Sequence, residues 1–305
     1  MKVYRDWQHI EPHQPTSLTV GSFDGIHLGH QQLISRLLEL ASQHDLVSTV
    51  VTFEPHPKKV LGKGEVHLLT DLQEKLDLLR ALNVEQTLVI PFTREFAAMD
   101  YRQFVRDILV ERLNVREMVI GHDHHFGRNR EGTFECLVQL GKDWGFSVHQ
   151  VGPFRVEGEV VSSSAIRQLI LEGNVEKAAQ FLGRYYALKG VVEKGDGRGQ
   201  QIGFPTANIR FTQPDKLLPP PGVYAVDAAV QGKRYRGMMN IGVRPTFNNN
   251  DILTSEVHLF NFSGLIYDEA IEVFFKKYIR KEKKFSGIEE LKKQLEQDKA
   301  MCEKI

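Results

Sequence analysis

Leu18-Thr19-Val20-Gly21-Ser22-Phe23-Asp24-Gly25-Ile26-His27-Leu28-Gly29-His30 is the stretch whose reading decides the fold. Its first three residues are apolar or β-branched and read as a buried strand. A glycine-rich turn follows, and apolar spacing predicts a helix from about residue 30 to 42. The core of the turn is His27-x-Gly29-His30. A helix start presents unpaired N–H groups and the positive end of the helix dipole, which together favour phosphate. Gly29 lets an anion approach the backbone with no Cβ in the way. Two histidines add side-chain donors, so the segment suits charge that develops on a phosphate during nucleotidyl transfer. Histidines at i and i+3 also suit a metal ion, or simply cap a loop; the strand–turn–helix context favours the nucleotide. No G-x-x-x-x-G-K-[ST] sequence competes with it, and Gly197-x-Gly199 lacks the third glycine of a dinucleotide fingerprint.

Outward from this turn, strands alternate with helices. Residues 46–53, 87–90, 117–120 and 146–151 read as further strands, and residues 71–82 and 101–113 as helices. Thr70-x-x-Gln73 has the form of a capping box for the first of these helices. Such alternation predicts a parallel, doubly wound α/β sheet of Rossmann-like type. Two short helices, 164–171 and 175–182, close the first half. From there strand-like runs dominate: 188–193, 207–211, 223–230, 234–241, 255–260 and 271–278, with Gly, Pro and Asn turns between them. That pattern predicts an antiparallel barrel or sandwich. A last helix runs from Ser286, with Ser286-x-x-Glu289 as its capping box, to about Met301. The expected domains are 1–182 and 183–305.

Composition narrows the function classes. The 305 residues carry 39 basic and 39 acidic side chains, a balance that argues against a dedicated nucleic-acid or membrane-surface protein. Cys136 and Cys302 are the two cysteines, far apart in sequence, and read as free thiols of a reducing compartment. The N-terminus lacks the apolar run of a signal peptide, and no apolar run reaches membrane-spanning length. A cytoplasmic protein is expected, a monomer or weak homo-oligomer, with small molecules as partners and neither nucleic acid nor membrane.

The second half has its own constellation. Gly203-Phe204-Pro205-Thr206-Ala207-Asn208 follows the glycine-rich stretch Gly195-Asp196-Gly197-Arg198-Gly199. Thr206 and Asn208 lie two apart, so in extended chain they share a face. A hydroxyl and an amide carbonyl are hard oxygen ligands suited to Mg²⁺. The glycine-rich loop can wrap phosphates with its N–H groups. The same residues also fit an ordinary hairpin turn leading into a strand.

Taken together, these motifs resemble the prokaryotic bifunctional riboflavin kinase/FAD synthetases. Gly21 to His30 is similar to the H-x-G-H signature of the nucleotidyltransferases in the form that family shows. Phe53-Glu54-Pro55-His56-Pro57, Gly121-His122-Asp123-His124-His125-Phe126-Gly127 and Val161-Ser162-Ser163-Ser164-Ala165-Ile166-Arg167 resemble its other segments. In the last of these, hydroxyls at a helix start and an arginine one turn in suit a second phosphate grip. The resemblance implies ATP contacts at Gly21, Phe23, Asp24, Gly29, His30, Ser163, Ser164 and Arg167. It implies flavin contacts at His56, Pro57, Asp123 and Phe126, and catalytic roles for His27 and His30. Ser164 stands where the family has threonine, and His124 where it more often has an aromatic residue. The His122–His125 cluster with Asp123 also invites a metal reading, which the resemblance replaces with a ligand-lining loop.

Gly190 to Ile209 resembles the riboflavin kinase signature, with Pro-Thr-Ala-Asn at its core. Gly222-Val223-Tyr224-Ala225, Asn240-Ile241-Gly242-x-Arg244-Pro245-Thr246, Glu256-Val257-His258 and Arg280 with Lys284-Phe285 follow in the family's order. This implies an antiparallel barrel with a C-terminal helix, ATP and Mg²⁺ held by Gly197, Gly203, Pro205, Thr206 and Asn208, and Glu256 as general base. Thr206 and Asn208 are the implied Mg²⁺ ligands. Gln200 stands where the family commonly has arginine, and Asp268 follows Tyr267 where it usually has glycine. The implied activity is phosphorylation of riboflavin to FMN in the second half, then adenylylation of FMN to FAD in the first. ATP, riboflavin, FMN and FAD are then substrates and products.

Overall fold

The computed structural model describes residues 1–8, 10, 14–62, 66–122, 132–195, 198–244 and 252–305. The chain divides into two compact units, Met1–Ser163 and Ser164–Ile305.

The first unit is built on a six-stranded sheet of β1 (Lys2–Tyr4), β2 (Thr16–Val20), β3 (Val47–Glu54), β4 (Gln86–Pro91), β5 (Val115–Gly121) and β6 (Ser147–Val151), in the order β1-β4-β3-β2-β5-β6. Every pairing in it is parallel. All five residues of β2 are buried, which explains its nearly continuous run of apolar and β-branched residues. Between the strands lie α1 (Leu28–His44), α2 (Pro57–Val60), α3 (Leu72–Ala81), α4 (Arg94–Ala97), α5 (Tyr101–Phe104) and α6 (Phe134–Trp144). Neighbouring residues of one strand serve opposite faces: Val50 packs with Leu37 and Leu79 from α1 and α3, while Val51 packs with Phe104 and Leu137 from α5 and α6. Each such fully buried leucine contributes about 1.5–3 kcal/mol. A tight hairpin of β7 (Arg155–Val156) and β8 (Glu159–Val160) follows, its turn made by Glu157 and Gly158 at φ 49 and 84.

From β2 the chain passes through α1 to β3 on one side, and later returns to β5 on the other side of β2. The strand order therefore reverses at β2, and the crevice at the carboxyl ends of such strands is where doubly wound sheets take ligands. The His27-x-Gly29-His30 turn leaves β2 at that point.

The second unit opens with α7 (Ser163–Leu171) and α8 (Val175–Leu182). Its strands β9 (Tyr186–Glu193), β10 (Ala207–Phe211), β11 (Gly222–Val230), β12 (Lys233–Arg244), β13 (Ile252–Leu259) and β14 (Ala270–Arg280) form a closed barrel in the order β10-β13-β12-β11-β14-β9. Every pairing is antiparallel, and β9 with β10 closes the ring. A one-turn helix, α9 (Arg198–Gln201), precedes β10, and α10 (Ile288–Cys302) covers part of the outer surface. There Met238, Phe260, Phe204 and Cys302 form an apolar cluster against which Leu295 packs. Arg280 of β14 fastens this helix by donating to both carboxylate oxygens of the fully buried Asp298, at 3.0 and 2.7 Å. Glu176 of α8 pairs with Lys277 of β14 at 3.0 Å, so α8 lies on the barrel. Among the described residues no helix is long and apolar enough to cross a membrane.

Four local expectations need correction. β1 is a strand where none was expected. Asp71, not Thr70, caps α3, accepting from the Glu74 N–H at 2.7 Å. Ser286 bonds Glu290 rather than Glu289, and Gly287 is the N-cap of α10. The helix expected over 101–113 is α5 followed by a π-helical turn, Val105–Val110.

Candidate functional site

Residues of the two motifs form polar constellations, one in each unit.

In the first unit the turn after β2 is buried and strained. Phe23 and Ile26 are 2% and 1% exposed and adopt φ 47 and 39, values rare for non-glycine residues and rarer for a β-branched one. Such a backbone persists only where its surroundings impose it. Here they do. The Asp24 carboxylate accepts from the N–H groups of Leu69 and Thr70, both at 3.0 Å, and from the Thr70 hydroxyl at 3.3 Å. That hydroxyl accepts from the Gly25 N–H at 3.0 Å. Ser163, at the start of α7, donates its hydroxyl to the Asp24 carbonyl at 2.9 Å. Asp24, implied as an ATP contact, is thus the anchor of the turn.

His27 caps α1: its Nδ1 accepts from the His30 N–H at 3.3 Å, so in the neutral ring Nε2 carries the proton. The two imidazoles stack, with centroids 3.6 Å apart and 16° between their planes. The Phe23 ring meets His30 edge-on at 5.2 Å. A Cβ on Gly29 would sit 3.2 Å from the His27 ring and 3.6 Å from the Val161 carbonyl, so glycine there leaves room for both. No acidic residue stands in the first turn of α1. The positive end of this 17-residue helix therefore faces the site uncancelled.

Gly21, Phe23, Asp24, His27, Gly29, His30 and Ser163 are thus brought together in the first unit. His56 is 7% exposed and caps α2 by accepting from the Lys58 N–H at 3.2 Å, with Pro57 in its first turn. Ser164 and Arg167 lie on α7, exposed and half-buried, in the second unit. Asp123, His124 and Phe126 lie outside the described residues. Among the described residues no group of three or more His, Cys, Asp or Glu is placed to hold a metal ion.

In the second unit three polar residues form a row across three strands. Asn208 on β10 and Asn240 on β12 are both opposite Glu256 on β13, and residues directly opposite share a face. Their neighbours Ile209, Met239, Ile241 and Val257 are buried on the other face. Thr206 donates its hydroxyl to Glu256 Oε2 at 3.1 Å. Two elements bring Thr206 to that spot. The α9 turn folds back so that the Phe204 N–H reaches the Gly199 carbonyl at 2.8 Å, and a Cβ on Gly199 would overlap the Phe204 carbonyl. His258, on the same face of β13 as Glu256, bonds the Pro205 carbonyl through Nδ1 at 2.8 Å. A carbonyl only accepts, so that nitrogen carries the proton. Burial lowers the His258 pKa, the Pro205 bond raises it and Lys299 lowers it again. The Gly195 backbone lies against the Asn208 amide so closely that a Cβ there would overlap it. Gly203 is exposed at φ 85 in the turn before Phe204. Gln200 is exposed, its carbonyl accepting from the Gly203 N–H at 3.3 Å. Gly197 lies outside the described residues, as does the Pro245-Thr246 segment. The hydroxyl, amide and carboxylate oxygens of Thr206, Asn208 and Glu256 are a donor set of the hard kind that Mg²⁺ prefers.

Sequence reasoning did not find Thr70, Lys75 or a role for His258. Thr70 was read as a cap, and its actual partner is 46 residues away. His258 holds a residue 53 positions away. A histidine two residues beyond Glu256 on the same strand face was the one signal available.

Comparison with known proteins agrees with this division. The family model for FAD synthetase matches residues 9–165, and that for riboflavin kinase matches residues 182–305. The protein named bifunctional riboflavin kinase/FMN adenylyltransferase in Listeria monocytogenes is 40% identical over 283 residues, 92% of this chain and 89% of the relative. The protein of that name in Escherichia coli is 36% identical over 302 residues, 98% of this chain and 96% of the relative. A crystal structure named as a macrolide-efflux protein from Streptococcus pneumoniae shares the fold at a TM-score of 0.89 and 31% identity, covering 99% of this chain and 98% of that one. With both family models in order along one sequence and relatives matched over almost their whole length, the chain belongs to the family of bifunctional riboflavin kinase/FMN adenylyltransferases.

Proposed function

We infer that the chain builds flavin cofactors in two ATP-dependent steps: riboflavin is phosphorylated to FMN in the barrel half, and FMN is adenylylated to FAD, with release of pyrophosphate, in the α/β half. One observation carries this reading. Each of the two family matches contains one of the two polar constellations, and each constellation suits the chemistry its match implies. The working division is 1–182 for adenylylation and 183–305 for the kinase. The start of the riboflavin kinase match at residue 182 supports it, although the compact units divide at Ser163 and place α7 and α8 with the barrel. The two unpaired cysteines accord with a cytoplasmic location.

In the barrel half the ribityl 5′-hydroxyl is a poor nucleophile. Glu256 takes its proton as the oxygen bonds the γ-phosphorus and ADP leaves. Thr206 and Asn208 would hold Mg²⁺, which supplies charge neutralisation on the ATP phosphates. Their place beside Glu256 supports this. The Thr206 hydroxyl fixes the orientation of that carboxylate.

The α/β half has the lighter task, because the FMN phosphate is already an anion and needs no base. Its oxygen attacks the α-phosphorus of ATP and pyrophosphate leaves. His27 and His30, with the N–H groups of the first turn of α1, stabilise the charge that builds on the α-phosphate. Gly21 and Gly29 leave room for it. Ser163 provides a second phosphate grip, Ser164 and Arg167 being the further contacts that the resemblance implies, and His56 with Pro57 borders the flavin side.

Chromatography of riboflavin, ATP and Mg²⁺ with the purified chain tests the whole reading. FMN that rises and then gives way to FAD is the expected course. FMN accumulating without FAD would refute the α/β assignment, and no product would refute both.

His258 offers a narrower test. His258→Leu removes the donor to Pro205 and should raise the KM for ATP and lower kcat of FMN formation, together by about tenfold or more, the scale of one lost buried hydrogen bond. His258→Asn places an N–H near the Nδ1 position and should recover most of that loss. Equal damage by both would mean that ring packing, not the hydrogen bond, matters.

A further inference from the structure

The turn that carries His27 and His30 leans on residues outside it, and one of them is a charge the mechanism leaves unused. Lys75 of α3 is 4% exposed. Its Nζ donates to Thr52 Oγ1 at 3.3 Å, and the Thr52 hydroxyl donates to the Ser22 carbonyl at 3.2 Å. Burial lowers the Lys75 pKa, whereas the charges of Asp24 and Glu54 raise it. A buried ammonium costs several kcal/mol unless a counter-charge and hydrogen bonds offset it. Methionine would fill the volume of the lysine stem without that cost, so packing alone does not explain a charge here. The Asp24 carboxylate, 1% exposed, has the complementary problem. The Thr52 hydroxyl at Ser22 and the Asp24 carboxylate hold the chain on either side of Phe23, which adopts φ 47.

We propose that Lys75 is a positioning residue for FAD formation: its ammonium holds the Thr52 hydroxyl on the Ser22 carbonyl, while Asp24 anchors the following residue, so the strained turn is fixed on both sides of Phe23. His27 and His30 then meet the α-phosphate from a set direction. Lys75 touches no substrate; it acts through Thr52. The proposal rests on the adenylyltransferase reading of this half.

The test uses the full chain with FMN, ATP and Mg²⁺, reading kcat and the KM for ATP, with FMN formation from riboflavin as the internal control. Lys75→Met should lower kcat for FAD formation by about 10- to 100-fold, the effect that a misplacement of about 1 Å produces. FMN formation should be unchanged, and the KM for ATP should move by less than about threefold, since uniform binding is not what the turn provides. The loss should persist on cooling, where a merely unfolding variant would recover. Thr52→Val keeps the shape and removes both hydrogen bonds of the relay, and should cost at least about 3- to 10-fold in the same kcat, the net scale of a single hydrogen bond. A Lys75→Met chain that makes FAD within about twofold of the unaltered rate overturns the proposal, and so does a loss that cooling abolishes; about twofold is below the energy of one hydrogen bond. If Lys75→Met does not fold, Thr52→Val decides by the same threshold. An unaltered chain that forms no FAD refutes this proposal together with the reading beneath it.

Discussion

His30→Ala is expected to lower kcat for FAD formation by about 10²- to 10³-fold, the loss measured when one donor to a developing oxyanion is removed. FMN formation from riboflavin should continue at its unaltered rate, because the kinase constellation lies wholly in the barrel unit. The geometry separates this effect from a folding defect. His27, not His30, caps α1, so the helix start survives the substitution. Phe23 loses an edge contact at 5.2 Å but keeps its buried seat beside Ile26. The His27 ring loses the partner stacked at 3.6 Å, and some of the effect comes from its freer orientation. Measuring FAD formation from supplied FMN isolates the step. A residual rate within about tenfold of the unaltered chain would mean that the first-turn N–H groups and His27 carry the stabilisation between them, and the catalytic role given to His30 would be wrong.

The order of elements was legible in the sequence because burial leaves a signature in residue type. β2 and β3 are buried on both faces and read as apolar, β-branched runs. The turn after β2 could be proposed as an anion site from sequence because a strand, glycines and a helix start are local features. The strand pattern alone left barrel and sandwich open, and the barrel was expected from the family resemblance: alternation along each strand is the same in a sandwich, and the pairing of Asn208 through Phe211 with Glu193 through Gly190 closes the ring. β1 was missed because three residues, Lys2, Val3 and Tyr4, are too few to establish a period. The supports of the site were missed for a different reason. Thr70 reaches the turn from 45 positions along the chain and Lys75 only through Thr52, 23 positions away, and a capping-box pattern is common enough to hide a long-range partner behind a local one. The motifs name the residues proposed to meet the substrate, whereas those that hold them in place appear only once the chain is folded.

Glu256→Gln separates the two activities from the other side. Glutamine keeps the shape of the side chain and a carbonyl that accepts from Thr206, so the link across 3.1 Å between β13 and the start of β10 persists. The amide has no basicity, and the ribityl hydroxyl then has no acceptor for its proton. FMN formation should fall by about 10²- to 10⁴-fold in kcat, the range for a lost general base, with little change in the KM for riboflavin. FAD formation from supplied FMN should be untouched. Alanine at the same position would remove the Thr206 acceptor as well, so a larger loss in Glu256→Ala than in Glu256→Gln measures what the hydrogen bond adds. A Glu256→Gln chain that still phosphorylates riboflavin within about tenfold would exclude the carboxylate as base. The proton would then have to pass to the γ-phosphate itself, and the row Asn208, Glu256 and Asn240 would serve to orient the nucleotide rather than to activate the alcohol.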